Sequence, residues 1–200
     1  MPLDLLIALT VFACVMAFTP GPNNIMLAAS GVNFGFMPTV PHMLGVTIGF
    51  DVLLIACALG LGLIFTAVPQ MHLVLKVGGA LYMLWLAFKV ATAHFVGDEG
   101  RGAARPFTFM QAAAFQWINP KAVIAALSTI SIYVRPGAFG RDFPVMLAIL
   151  TLCTVGSVTT WTGFGVALRR LLRNPVYARV FNVSMALLLV ASIVPMVTEG

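Results

Sequence analysis

Residues 11–31 read V-F-A-C-V-M-A-F-T-P-G-P-N-N-I-M-L-A-A-S-G. An apolar run reaches Phe18 and resumes at Ile25, and between them stands Thr19-Pro20-Gly21-Pro22-Asn23-Asn24. Proline has no amide hydrogen and clashes with the preceding turn, so it breaks or kinks a helix. A single proline kink is common in apolar helices, but this stretch removes two donors and adds two carboxamides. Inside a bilayer, freed backbone groups have no water to bond. Such a break survives only where it is buried in protein or lines a wet cavity. The stretch therefore reads as a membrane-spanning helix interrupted near its middle, with the interruption turned toward the protein interior.

The composition agrees with a membrane solvent. Of 200 residues 60% are hydrophobic and 8% charged, and the mean hydropathy is +1.02. Soluble domains carry about 25% charged residues, so too little is left here to cover a water-facing surface. A crossing needs about 20 apolar residues of helix, which leaves room for about six crossings and short loops. A barrel strand alternates apolar with polar, whereas residues 52–64 are apolar on every side. The net charge of +5 would raise nucleic acid as a partner in a soluble protein. Here the basic residues lie mainly at span ends and in loops, so they report topology. Cys14, Cys57 and Cys153 all lie in apolar runs without a C-x-x-C spacing, which fits packing residues rather than a metal or disulfide framework.

The spans predicted from the apolar runs are roughly 4–32, 43–66, 73–92, 108–133, 144–168 and 178–197, with loops at 96–106, 135–144 and 169–179. The first span has Asp4 and no Lys or Arg ahead of it, unlike a cleaved leader, and is read as retained. The loops on one face carry seven basic residues: Lys89, Arg101, Arg105, Arg169, Arg170, Arg173 and Arg179. The other face carries three: Lys76, Arg135 and Arg141. The positive-inside rule places the first set in the cytoplasm and both termini in the periplasm.

The fourth span contains a second interruption, Gln116-Trp117-Ile118-Asn119-Pro120-Lys121. Setting Pro22 on Pro120 aligns P-N-N-I-M-L-A-A-S with P-K-A-V-I-A-A-L-S, and Ser30 falls on Ser128. The offset is close to half the chain. With three spans per half, the second half would insert upside down relative to the first. Paired interrupted helices in inverted repeats mark the midplane binding site of many secondary transporters. The expected domain is thus a single unit, 1–200, with halves about 1–95 and 107–200 joined by a linker at 96–106. The fold class is an all-α integral membrane protein of about six helices, with helices 1 and 4 broken.

A helix restarting at Pro22 or Pro120 exposes unpaired N–H groups and a positive dipole end. Asn119-Pro120 is a helix-start signal, since Asn caps and Pro suits the first helical position. Such ends bind anions, and an amino acid brings a carboxylate. Lys121, in the first turn, opposes the dipole and costs roughly 2.5–3.5 kcal/mol to bury on insertion scales. It calls for an anion, a hydrated cavity or an interface within snorkelling reach. Asp51, in Gly49-Phe50-Asp51-Val52, is the carboxylate clearly inside an apolar run. It is a candidate proton carrier, or a counter-ion to Lys121 or to a substrate ammonium. The Gly45/Gly49 pair reads as close helix packing, His42 as an interfacial histidine, and Trp117 as a candidate cavity residue.

The stretch F-T-P-G-P-N-N-I-M-L-A-A-S-G-V-N-F-G-F (18–36), followed by Pro41-His42 and Gly45, resembles the lysine exporter (LysE/RhtB) family of bacterial amino-acid exporters. G-G-A-L-Y-M-L-W-L-A (78–87) resembles that family's third span, and Asn119-Pro120-Lys121 its Asn-Pro-Lys motif. The resemblance implies a multi-pass carrier of the bacterial inner membrane, exporting small amino acids or derivatives, without cofactor and driven by the proton gradient. It leaves a homodimer open. The N-F-G-F region lies nearer the neutral and cysteine-type branch. Motif positions carried over are Pro20, Gly21, Pro22, Asn23, Asn24, Asn119, Pro120 and Lys121; Asp51 comes from the residue reading alone. The competing function is an aquaporin-like passive channel for small polar solutes, but that fold needs two re-entrant half-helices in addition to six spans, and this chain is too short for them. A Ser–Lys hydrolase using Ser30 or Ser128 with Lys121 lacks a G-x-S-x-G, and scattered His and Cys argue against a metal exporter.

Overall fold

The computed structural model describes residues 1–61, 77–92 apart from 79, 82, 86 and 89, 106–191, and 193–194. Helix α1 spans Leu3–Phe18, α2 Pro22–Phe34 and α3 Phe36–Ala56, which continues as a π-helical turn Cys57–Leu61. After helical residues among the described positions between 77 and 91 come α4 (Phe109–Ile118), α5 (Pro120–Tyr133), α6 (Phe139–Leu168) and α7 (Pro175–Ala191). No strand occurs among the described residues.

The boundaries follow local chemistry. Thr108 and Gln111 form a reciprocal capping box at the start of α4. Gly35 turns α2 into α3 at φ +86°, in the left-handed region that suits glycine. Pro22 and Pro120 each open a helix, where a missing N–H costs no intrahelical bond.

The chain ends of these helices fix their directions. Tyr133, closing α5, reaches the Ala8 carbonyl near the start of α1, and the Met1 amine lies 3.5 Å from Asp142 in the first turn of α6. At the opposite end, Gly35 lies beside Arg169, which follows α6. The chain through α1 and α2 therefore runs with α6, and α5 runs against them. From the two breaks, α2 and α5 leave in opposite directions.

Small residues let these helices close up. A Cβ on Gly31 or Gly165 would collide with the backbone of Thr162 or Ala28 across the α2–α6 contact. Gly45 and Gly49 stand in the same relation to Phe109 and Ala113 across α3–α4. The Gly45/Gly49 pair thus does the packing expected of it. One apolar cluster joins Leu9, Leu53, Leu54, Ala126 and Met146, and another joins Leu27, Met43, Val46, Ala112 and Val158. Cavity residues come from both clusters, so the functional site lies where they meet.

The predicted first span is present as α1 plus α2, bent by 53° at the break. Phe36–Gly60 and Phe139–Leu168 are long and apolar enough to cross unaided. The described residues therefore carry two such helices, or three with the bent pair counted as one. The fourth span is present as α4 and α5, and most of the sixth as α7. The third span falls partly outside the described residues, as do the linker, Lys76, Lys89, Arg101 and Arg105. Both α3 and α6 begin earlier than the apolar runs suggest, because short polar or proline-bearing first turns precede the continuous apolar stretch. That difference changes His42. Expected at an interface, it is buried inside α3 with its ring against Phe107. It also draws Asp142 into a helix, where its fully buried carboxylate takes a two-pronged pair from Arg135 at 2.7 and 2.9 Å. Hydrogen bonding to Asp142 raises the Arg135 guanidinium further above its ordinary value.

Candidate functional site

The two breaks meet. The end of α1 leaves the Ala17 and Thr19 carbonyls without helical donors, and neighbouring side chains take them. Asn24 donates its amide to Ala17 O at 2.8 Å and to Thr19 O at 3.0 Å. The Ser157 hydroxyl, from α6, donates to Ala17 O at 2.6 Å and lies 3.4 Å from the Asn24 carbonyl oxygen. Lys121 crosses from the second break and donates from Nζ to Thr19 O at 2.7 Å. A cation is favoured there, since the carbonyl end of a helix is its negative pole.

The other side of the break is built of donors. Asn119 caps α5, its side-chain oxygen accepting from the Lys121 amide at 3.2 Å. Helix α2 has no side-chain cap, because Gly21 occupies the capping position. Its first turn thus presents backbone N–H groups at Asn23 and Asn24. The Asn23 side chain is engaged with Gln116 of α4 through a reciprocal amide pair, at 2.8 and 3.3 Å. Gly21 lies against Lys121: a Cβ there would sit 3.1 Å from Cδ and 3.3 Å from Nζ of the lysine.

These groups border a cavity of about 90 Å³, walled by α1, α2, α3, α4, α5 and α6. A water needs about 10–15 Å³ measured in this way, so the space admits several waters or one small amino acid. Gly21, Pro22, Asn23, Asn24, Asn119 and Lys121 all line it. Of the motif residues, Pro20 and Pro120 do not; they set the break and the restart. Phe12, Met16, Phe50 and Leu150 give the wall an apolar side. Lys121 is the one charged side chain lining it among the described residues.

Asp51 is not brought to the cavity. It accepts from the Thr151 hydroxyl at 3.0 Å, and no ion pair joins it to Lys121. Trp117 is partly exposed and does not line the space. Gln116, Thr154 and Ser157 do, and are the polar residues that sequence reasoning did not single out. Gln116 was visible in the second interrupted motif. Thr154 and Ser157 lie in an unbroken apolar helix and carry no sequence signal of their own.

Apolar helices, one pair of them bent at a break, around a cavity with a half-buried cation define a multi-pass membrane translocator, with no need of catalytic groups. Family comparison gives the same class. The model of the LysE type translocator matches residues 14–199. Proteins of Escherichia coli (strain K12) and Shigella sonnei (strain Ss046), each named cysteine/O-acetylserine efflux protein, are 32% identical over 189 residues, covering 93% of this chain and 94% of theirs. No solved structure matches. The chain belongs to the LysE type translocator family. It is a transporter of the bacterial membrane and not an enzyme, and the passive-channel alternative finds no support among these relatives.

Proposed function

We propose that this protein exports small neutral amino acids of the cysteine or O-acetylserine kind across the inner membrane, by exchange for protons. The observation that carries this reading is the Lys121 ammonium in the cavity wall with the Thr19 carbonyl as its protein partner and, among the described residues, no carboxylate beside it. Lysine has three donors, so the cation retains capacity for a ligand carboxylate. The uncapped first turn of α2 adds N–H donors of the same polarity. An apolar wall without an acid suits an uncharged side chain, and a second cationic group there would meet Lys121 unopposed. The names of the relatives support a thiol or acetyl-ester side chain.

The opposed directions of α2 and α5 support the inverted-repeat reading, with the two breaks as the corresponding halves of one site. Asp51 stands apart from the cavity with Thr151 as its partner, and in this proposal it carries the proton. The excess of basic residues on the face bearing Arg169 and Arg170 supports placing that face in the cytoplasm.

Export of an amino-acid panel from cells overproducing the protein tests the reading. Uphill efflux of cysteine or O-acetylserine, stopped by an uncoupler and lost in Lys121→Ala at equal membrane abundance, is the expected result. Efflux that continues unchanged in Lys121→Ala would overturn the assignment of the site.

A further inference from the structure

Cys14 on α1 and Cys153 on α6 are 139 positions apart in sequence, yet their Sγ atoms lie 3.6 Å apart. Both thiols are free, as is Cys57, which is buried within the apolar cluster of Leu9 and Met146. Neither Cys14 nor Cys153 lines the cavity, but their sequence neighbours Phe12, Ala13 and Thr154 do. The pair therefore sits at the seam of two cavity walls. Cys14 is exposed on the surface of α1 and Cys153 is partly so, which leaves the pair open to a small uncharged oxidant.

We propose that Cys14 and Cys153 are an oxidisable dithiol which, as a disulfide, ties α1 to α6 beside the cavity and stops transport. A disulfide brings sulfurs to about 2.0 Å, so the thiols must close by about half of their present separation, a movement within reach of side-chain rotation and a small helix shift. The oxidant class is a hydroperoxide, for which hydrogen peroxide is the simplest case. The sulfur of Cys14, the more exposed of the two, attacks the O–O bond, giving a sulfenic acid and one water. The second sulfur then displaces the sulfenic oxygen, forming the S–S bond and releasing a second water. Two thiols lose two electrons, the peroxide gains them, and both thiol protons leave in the water. A carrier exposes its site on alternate faces, so walls that meet at α1 and α6 must part. A covalent bond at their seam opposes that parting. The locking effect rests on the carrier reading above; the dithiol itself does not.

Thiol counting on membrane-embedded protein separates the two. After peroxide treatment and denaturation, the wild type should keep one alkylatable thiol of its three, that of Cys57, and recover all three after dithiothreitol. Cys14→Ser should show the same two thiols before and after peroxide. Three alkylatable thiols in the oxidised wild type, or oxygen added to one cysteine without loss of the other, overturns the dithiol. In the same membranes, export by the wild type should be lost on oxidation and restored by dithiothreitol, while Cys14→Ser is indifferent to peroxide. Undiminished export by protein carrying the disulfide overturns the lock. If the reduced wild type exports no amino acid, the proposed function falls and the thiol count still decides the dithiol.

Discussion

The Lys121 side chain spans the two breaks, donating to the Thr19 carbonyl at 2.7 Å. One broken helix thereby supplies the cation that caps the end of the other. Without this bond the α1 terminus would rely on Asn24 for the Thr19 carbonyl, and Lys121 would be a half-buried charge without a described protein partner. The same bond aims the ammonium across the cavity, where a carboxylate can share it.

Replacing Lys121 by Ala should weaken substrate binding most. A hydrogen bond to a charged group contributes about 1.5–3 kcal/mol, which corresponds to a roughly 10- to 150-fold rise in the apparent dissociation constant. Binding measured on purified protein, by calorimetry or by the ligand's effect on thermal unfolding, checks this. Gly21→Ala should have a smaller effect of the same sign, because the added Cβ presses on the flexible Lys121 stem rather than removing the charge.

Two glycines of α6, two residues apart, should respond in opposite ways to alanine. At Gly165 a Cβ would strike the Ala28 backbone, so Gly165→Ala must push α2 and α6 apart. Overpacking of this kind costs about 1–3 kcal/mol. At Gly163 no described residue lies within 4 Å, and Gly163→Ala should gain about 0.5–1 kcal/mol through the lower conformational entropy of the unfolded chain. Thermal unfolding in detergent should separate the pair; equal melting temperatures would contradict the close α2–α6 contact.

The parts of this structure that show in the sequence are those that violate apolar continuity. Pro20-Gly21-Pro22 and Asn119-Pro120 announce both breaks, since proline and an N-cap act within a few residues of chain. Their meeting through Lys121 and Thr19 was not legible, because a carbonyl acceptor carries no residue identity. Ser157 was hidden for the related reason that a serine in an apolar helix has many uses. His42 was misplaced because hydropathy begins to rise only after it, while the helix had already begun at Phe36. Asp51 stood out as an acid in an apolar run, but its partner, Thr151, comes from a helix whose register against α3 is set by packing.

The Arg135–Asp142 pair should matter to stability asymmetrically. Asp142 is fully buried and Arg135 is about one-third exposed, at 34%. Arg135→Ala strands a buried carboxylate with the terminal amine at 3.5 Å and Arg141 at 4.0 Å, whereas Asp142→Asn leaves a neutral amide and an arginine able to turn to water. Breaking a buried pair from the exposed side is therefore the costlier change. The melting temperature should fall further in Arg135→Ala than in Asp142→Asn; the reverse order would show that Asp142 is neutralised chiefly by the amine.

Asp51 gives a test of coupling that does not disturb the binding cavity. Its hydrogen bond partner is a hydroxyl, and among the described residues neither oxygen pairs with a cation. Asp51→Asn keeps the size and the acceptor for Thr151 while removing the proton site. If Asp51 carries the exchanged proton, the variant should still exchange labelled for unlabelled substrate in proteoliposomes at equal pH on both sides. It should fail to move substrate uphill when a pH difference is imposed. Thr151→Val leaves the carboxylate titratable, so this variant should retain uphill movement with an altered pH dependence. Uphill export by Asp51→Asn equal to wild type would place the proton elsewhere, and the Lys121 site would then be the next group to examine.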